Sequence, residues 1–265
     1  MAKTEKELAF LRDLYINDEW TRRFTDLVDK HLTFSDEDEN FLYVNAGTGS
    51  HCFALRDRMD KNTAVFATCE NEEMVQIARD KAIAVRSDVD FSTLRFEDDS
   101  FDAVLTDASF VRPADLATAF AESKRVVRSG GRIAVFLPAA GSFGEIFSLL
   151  WEVMFNEDLG AHGAAAEGMI REVPTLTQAE EIAKGEGLVN VKSHSATEVF
   201  EYENGAGFVA SPLVAEFLLP VWLESLEEDD KSRVIEKLAQ LIDAEDGNLS
   251  FRFSVKVALV TGEKE

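Results

Sequence analysis

Between Phe41 and Leu137 short apolar runs alternate with helical patterns, and this alternation constrains the fold more than any other feature of the chain. Phe41-Leu42-Tyr43-Val44-Asn45 reads as a buried strand that runs into the turn Ala46-Gly47-Thr48-Gly49. A second strand over 64–69 is followed by a helix over 72–82, and 84–87 and 102–107 read as strands three and four. A helix over 115–127 is expected to stop at Gly130-Gly131, before a fifth strand over 131–137. Strand and helix in regular succession predict an α/β chain with a doubly wound, mostly parallel sheet.

Residues 4–32 carry Leu8, Leu11, Leu14, Tyr15, Trp20, Phe24, Leu27, Val28 and Leu32 at helical spacing. Past the fifth strand, 143–155 and 177–185 read as helices, and 189–202 and 250–261 as two long extended segments. As two consecutive late strands, those segments are expected to pair antiparallel at the sheet edge. A helical insertion separates them, with Val234, Leu238, Leu241 and Ile242 on one face of 230–243. The expected organisation is a single domain over 1–265, with N-terminal helices over 1–34 and a helical lid over 207–245.

Charge narrows the partners. The chain holds 27 Lys plus Arg against 50 Asp plus Glu, a formal net charge of −23. Such a surface repels phosphate backbones and anionic lipid, so neither nucleic acid nor a membrane is the expected partner. No run of about 18 apolar residues occurs, and the first ten residues lack the apolar core of a secretion signal, so a cytoplasmic protein is expected. The two cysteines, Cys52 and Cys69, make no disulfide framework, and no Cys/His spacing suggests a metal site.

The strongest local signal for chemistry is the glycine turn after the first strand, where a ligand can approach the backbone closely. As a dinucleotide fingerprint it is incomplete, because Cys52 stands where the third glycine belongs. Glu70 follows the second strand, 21 residues after Gly49, where a carboxylate can accept from ribose hydroxyls. Asp90-Phe91 follows the third strand. His51 and His162 are candidate bases, with a structural histidine the commoner outcome. Asp107 and Arg112 lie just beyond strand four, and Tyr15, Trp20, Phe143, Phe147 and Trp151 are core before they are pocket.

Taken in order, NAGTGS, ENEEMVQIARDKA, DFSTLRFEDDSFDAVLTD and KRVVRSGGRIAVF resemble the motifs of class I S-adenosylmethionine-dependent methyltransferases, particularly the small-molecule branch. The resemblance covers about residues 41–138. It implies a Rossmann-like, seven-stranded sheet whose last two strands form an antiparallel pair. It also implies S-adenosylmethionine as cofactor, with Ala46, Gly47 and Gly49 along its methionine part and Glu70 on the ribose. By the same resemblance Asp90 accepts from the adenine amino group, Phe91 packs on the ring, and Thr106 to Phe110 face the sulfonium and substrate. Two positions depart from the pattern. Tyr43 stands at the acidic residue of the first motif, and Asn45 at its first glycine, where the side chain either narrows the pocket or donates a hydrogen bond in it. Aligning on Glu73-Met74 instead puts Cys69, not Glu70, at the usual acidic position.

Three functions follow. The first is methyl transfer to a small organic acceptor. The second is a catalytically silent domain of this fold that binds a ligand or partner, for which Tyr43 and Asn45 speak. The third is a nicotinamide-dependent oxidoreductase, resting on the glycine turn and Glu70. Methyl transfer from a sulfonium needs alignment and exclusion of water more than a dedicated catalytic side chain. For that reason no catalytic residue, acceptor, methylated atom or oligomeric state is marked by a motif.

Overall fold

The computed structural model describes residues 3–246 and 250–265; Met1 and Ala2, at the head of the expected N-terminal helices, lie outside them. The chain opens with α1 (Glu5–Leu11), a π-helical segment (Arg12–Thr21) and α2 (Arg22–His31). A capping box starts α1, in which Thr4 Oγ1 accepts from the Glu7 N–H and Glu7 Oε2 accepts from the Thr4 N–H. There follow β1 (Asn40–Val44), α3 (Ser50–Arg56), β2 (Ala64–Thr68), α4 (Glu72–Val85), β3 (Asp90–Ser92), β4 (Phe101–Asp107), α5 (Leu116–Val126) and β5 (Val127–Ala139). The remainder is α6 (Gly144–Asn156), α7 (Gly160–Glu172), α8 (Leu176–Gly185), β6 (Leu188–Tyr202), α9 (Gly205–Ala210), α10 (Leu219–Trp222), α11 (Glu228–Asp246) and β7 (Phe251–Lys264).

The seven strands are ordered β3-β2-β1-β4-β5-β7-β6, mostly parallel with an antiparallel last pair. Phe41, Leu42 and Tyr43 of β1 are all buried, as a central parallel strand covered on both faces must be. β1 pairs in parallel with β2 on one side (Tyr43 level with Ala67) and with β4 on the other (Val44 level with Thr106). The winding reverses there, so the crevice for a ligand lies beyond the carboxyl ends of β1 and β4.

Two boundaries differ from the sequence reading. The third strand is not 84–87: α4 runs on to Val85 and ends at Arg86, in a left-handed conformation, and β3 starts at Asp90. Gly130-Gly131 does not stop a helix. α5 ends at Val126, and the glycines sit inside β5, where the pairing with β4 shifts register between Phe101 and Ala103.

The N-terminal apolar face also differs. Leu14 and Tyr15 are exposed, whereas Ala9, Arg12, Ile16 and Trp20 are buried. The wider π-helical turn brings every fourth residue inward from Arg12, in place of the 3.6-residue stripe.

The chain forms two compact units: residues 1–137, 176–196 and 257–265, and residues 138–175 and 197–256. In the first, Trp20 packs on Phe24 and Phe110, with ring centroids 4.9 and 5.3 Å apart. In the second, Trp222 meets Phe143 and Phe147 edge-on, at 5.4 and 5.2 Å, and Phe200 stacks on Phe253 at 4.8 Å. There α11 buries Val234, Leu238 and Ile242 and packs on α6 and α9. Trp151 is exposed on α6. Among the described residues no helix is long and apolar enough to cross a membrane.

Candidate functional site

The turn after β1 is shaped by three residues with positive φ: Asn45 (58°), Gly47 (57°) and Gly49 (81°). Asparagine tolerates the left-handed conformation better than most side chains, which lets it stand where the family pattern has glycine. Its amide folds back into the structure, with Nδ2 donating to the Asp107 carbonyl at 3.1 Å and the backbone N–H donating to Thr68 Oγ1 at 3.2 Å. The Ala46 N–H donates to the Thr68 carbonyl at 2.7 Å, and the Gly49 N–H to the Ala46 carbonyl at 3.0 Å. The turn thereby ties together the ends of β1, β2 and β4.

The two glycines serve different neighbours. A Cβ at Gly49 would stand 2.7 Å from the ring of Phe91, which is buried beneath the turn. A Cβ at Gly47 would stand 3.3 Å from Nε of Arg12. Gly49 makes room for the core, and Gly47 opens toward the N-terminal segment.

That segment is docked on the turn by polar contacts. Asp13 Oδ1 accepts from Thr48 Oγ1 and from Lys81 Nζ, both at 2.6 Å. Asn17 Nδ2 donates to Thr48 Oγ1 at 2.8 Å and to Ser50 Oγ at 3.1 Å. Arg12 is carried inward and is 2% exposed. Its Nη2 lies 3.5 Å from both Glu70 Oε1 and Asp107 Oδ2, at the outer limit of a direct hydrogen bond, and its Cζ lies 4.5 Å from the centre of the Phe110 ring. Nε and Nη1 of Arg12 are buried with no hydrogen-bond partner, as is Ser109 Oγ. An unmet buried donor costs about 1–3 kcal/mol, more on a charged group, so such donors mark a place where a partner belongs.

Asp107 is fully enclosed. Burial pushes its carboxyl up to about 6, against the downward pull of Arg12 and of the Ser109 N–H, which donates to Oδ1 at 2.8 Å. Burial also raises both thiols, Cys69 to about 12, so neither cysteine is a nucleophile at neutral pH.

Asn45, Ala46, Gly47, Gly49 and Glu70, all expected from sequence, come together around the end of β1. Thr106 does not join them: its Oγ1 pairs with Ser123 Oγ of α5 at 2.8 Å, on the other face of β4 from Asp107. Phe91 lies under Gly49, and Asp90, exposed on the opposite face of β3, is level with Phe66. Ser92, two residues later, reaches the level of the turn, where its carbonyl accepts from the Cys69 N–H at 3.0 Å. Arg12 is the residue that sequence reasoning missed. From sequence, Asp107 stands out only as a neighbour of strand four.

Tyr43, at the position of the family's acidic residue, is buried, with its hydroxyl 3.1 Å from His51 Nδ1; His51 Nε2 lies 3.3 Å from Asp29 Oδ1. His51 is thus held at both ring nitrogens. Within the second unit, His162 Nδ1 lies 3.4 Å from Ser225 Oγ. Among the described residues no group of three or more His, Cys, Asp or Glu could hold a metal ion.

Comparison with known proteins bears on this geometry. A family model described as "Methyltransferase domain" matches residues 42–135, from inside β1 to inside β5. A demethylmenaquinone methyltransferase of Deinococcus radiodurans is 32% identical over 119 residues, covering 42% of this chain and 49% of that protein. The chain spans half or less of the length of the curated relatives it matches. Among solved structures, a putative methyltransferase from Bacillus halodurans is similar with a TM-score of 0.59 at 14% identity, over 92% of this chain and 99% of that one. A phosphoethanolamine N-methyltransferase from Haemonchus contortus, solved with phosphomonomethylethanolamine and S-adenosylhomocysteine, gives 0.54 at 14% identity, over 98% of this chain and 58% of that one. Residues 42–135 thus match a methyltransferase domain, and the fold is that of the solved methyltransferases named here.

Proposed function

We propose that this protein transfers a methyl group from S-adenosylmethionine to a small organic acceptor. One observation carries the reading: at the point where the sheet's winding reverses, Gly47 lies against a buried arginine with unused donors, whose Nη2 is 3.5 Å from both Glu70 and Asp107. These residues fit an adenosine thioether that ends in an amino acid. Gly47 presents bare backbone beside Arg12, Glu70 is positioned to accept from ribose hydroxyls, and Asp107 offers a carboxylate to an ammonium. Asp107 thereby takes the place of the acid that Tyr43 has replaced. Asp90 and Phe91 remain the adenine side of the proposal, with Ser92 the nearer residue by register.

When bound, the cofactor supplies a sulfonium methyl group already activated for in-line displacement. The protein's own contribution is to orient and to exclude water. Docking of Asp13 and Asn17 on Thr48 and Ser50 keeps the N-terminal segment closed over the turn.

A small acceptor is favoured by the net charge of −23, which opposes nucleic acid. The Haemonchus enzyme, whose ligand is a small phosphorylated amine, shows what the same fold accommodates. The test is transfer of a labelled methyl group from S-adenosylmethionine to a panel of small amines, phenols and carboxylates, with transfer RNA as a contrast. Labelling of a small compound supports the reading, and labelling of RNA alone overturns it. Binding without any transfer favours the silent domain, for which the Tyr43–His51 pair in place of a free acid is the specific observation.

A further inference from the structure

We infer that Arg12 is the anchor for the carboxylate of the cofactor's amino-acid moiety, an assignment that rests on the proposed cofactor and adds a residue outside the matched region 42–135. The inference starts from an imbalance. A guanidinium carries five N–H donors and no acceptor, and here it is 2% exposed, beyond the reach of bulk water. Its two acidic neighbours engage only Nη2, each at 3.5 Å. Nε and Nη1 are buried and unpaired. Nε faces the glycine turn, 3.3 Å from the point where a Cβ at Gly47 would stand.

The surroundings select the ligand. A cation with unused donors, beside a backbone position stripped of its side chain, asks for an oxyanion. The flanking carboxylates of Glu70 and Asp107 disfavour a dianion such as phosphate and suit a zwitterion, whose ammonium faces Asp107 while its carboxylate faces Arg12. Phe110 holds the guanidinium plane from the side, at 4.5 Å. The segment that carries Arg12 is fixed to the same turn through Asp13 and Asn17, so the anchor is set before a ligand arrives.

The test is a two-by-two titration by calorimetry at neutral pH. The ligands are S-adenosylhomocysteine and its decarboxylated analogue, which keeps the adenosine, the thioether and the amine but lacks the carboxylate. The proteins are the wild type and Arg12→Met, with Arg12→Lys as a second variant that keeps the charge without the fork. We expect the wild type to bind the decarboxylated analogue at least tenfold more weakly than S-adenosylhomocysteine. Arg12→Met should abolish that preference, losing affinity for the first ligand and little for the second, and Arg12→Lys should fall between. Equal losses for both ligands, or tighter binding of S-adenosylhomocysteine by Arg12→Met, would overturn the assignment and make Arg12 a structural or occluding residue. Should Arg12→Met not fold, equal wild-type affinities for the two ligands would overturn it without a variant. No binding of S-adenosylhomocysteine by the wild type overturns the cofactor reading as well. Binding without discrimination removes the arginine assignment alone.

Discussion

Gly49→Ala is the substitution whose cost can be worked most directly from the structure. The backbone at Gly49 has φ 81°, where an L side chain costs about 1–2 kcal/mol. The new Cβ would also stand 2.7 Å from two ring atoms of Phe91. Phe91 is buried, with Phe53 edge-on at 5.5 Å, so the ring cannot swing into solvent to make room. Overpacking of this kind adds about 1–3 kcal/mol. We therefore expect a loss of about 2–5 kcal/mol in urea unfolding followed by tryptophan fluorescence. Trimming the ring in Gly49→Ala/Phe91→Leu should return part of the steric share, because the two sites touch and their effects do not add. Gly47→Ala is the contrast. It bears a similar backbone strain at φ 57°, but its Cβ meets the Arg12 side chain no closer than 3.3 Å, so it should cost about 1–2 kcal/mol in stability and more in cofactor affinity. A Gly49→Ala protein within about 0.5 kcal/mol of the wild type, the range of an ordinary surface change, would refute this account of the turn.

Two further predictions follow from β4. The folded Asp107 carboxyl titrates near 6 against an ordinary 3.8, so below both values the two states hold the same proton and nothing is lost. As pH rises through this window the unfolded chain releases its proton first and the folded state is penalised, by about 3 kcal/mol at 1.4 kcal/mol per pH unit. Asp107→Asn removes that titration, so its stability relative to the wild type should rise between about pH 4 and pH 6 and then level off; a constant difference across this range would contradict the buried, raised carboxyl. Thr106→Val breaks the hydrogen bond to Ser123 and should cost about 1 kcal/mol of stability with affinity for S-adenosylhomocysteine unchanged; a clear loss of affinity in a folded variant would return Thr106 to the binding site.

What the sequence made legible, and what it hid, has a physical reason in each case. The sheet was readable because central parallel strands must be apolar throughout, as Phe41-Leu42-Tyr43 and Ala103-Val104-Leu105 are. The glycine turn was readable because positive φ restricts the residues that can stand there. Arg12 was not, since an α-helical stripe over 4–32 points Leu14 and Tyr15 inward, and only the π-helical turn exchanges them for Arg12 and Ile16. Thr106 and Asp107 could not be separated either. They are adjacent on one strand, face opposite sides, and only the pairing with Ser123 or Arg12 reveals which side is which. The same alternation divides Asp90 from Phe91 on β3.

The central claim is that the turn of residues 45–49, with Glu70 and Asp107, forms the binding site of an adenosylated amino acid. It is tested most directly by calorimetric titration of the wild-type protein with S-adenosylhomocysteine, S-adenosylmethionine and NAD in parallel. Saturable binding of both sulfur ligands at one site per chain, with no heat from NAD, is the predicted result. Binding of NAD in their place, or binding of none of the three by folded protein, would contradict it.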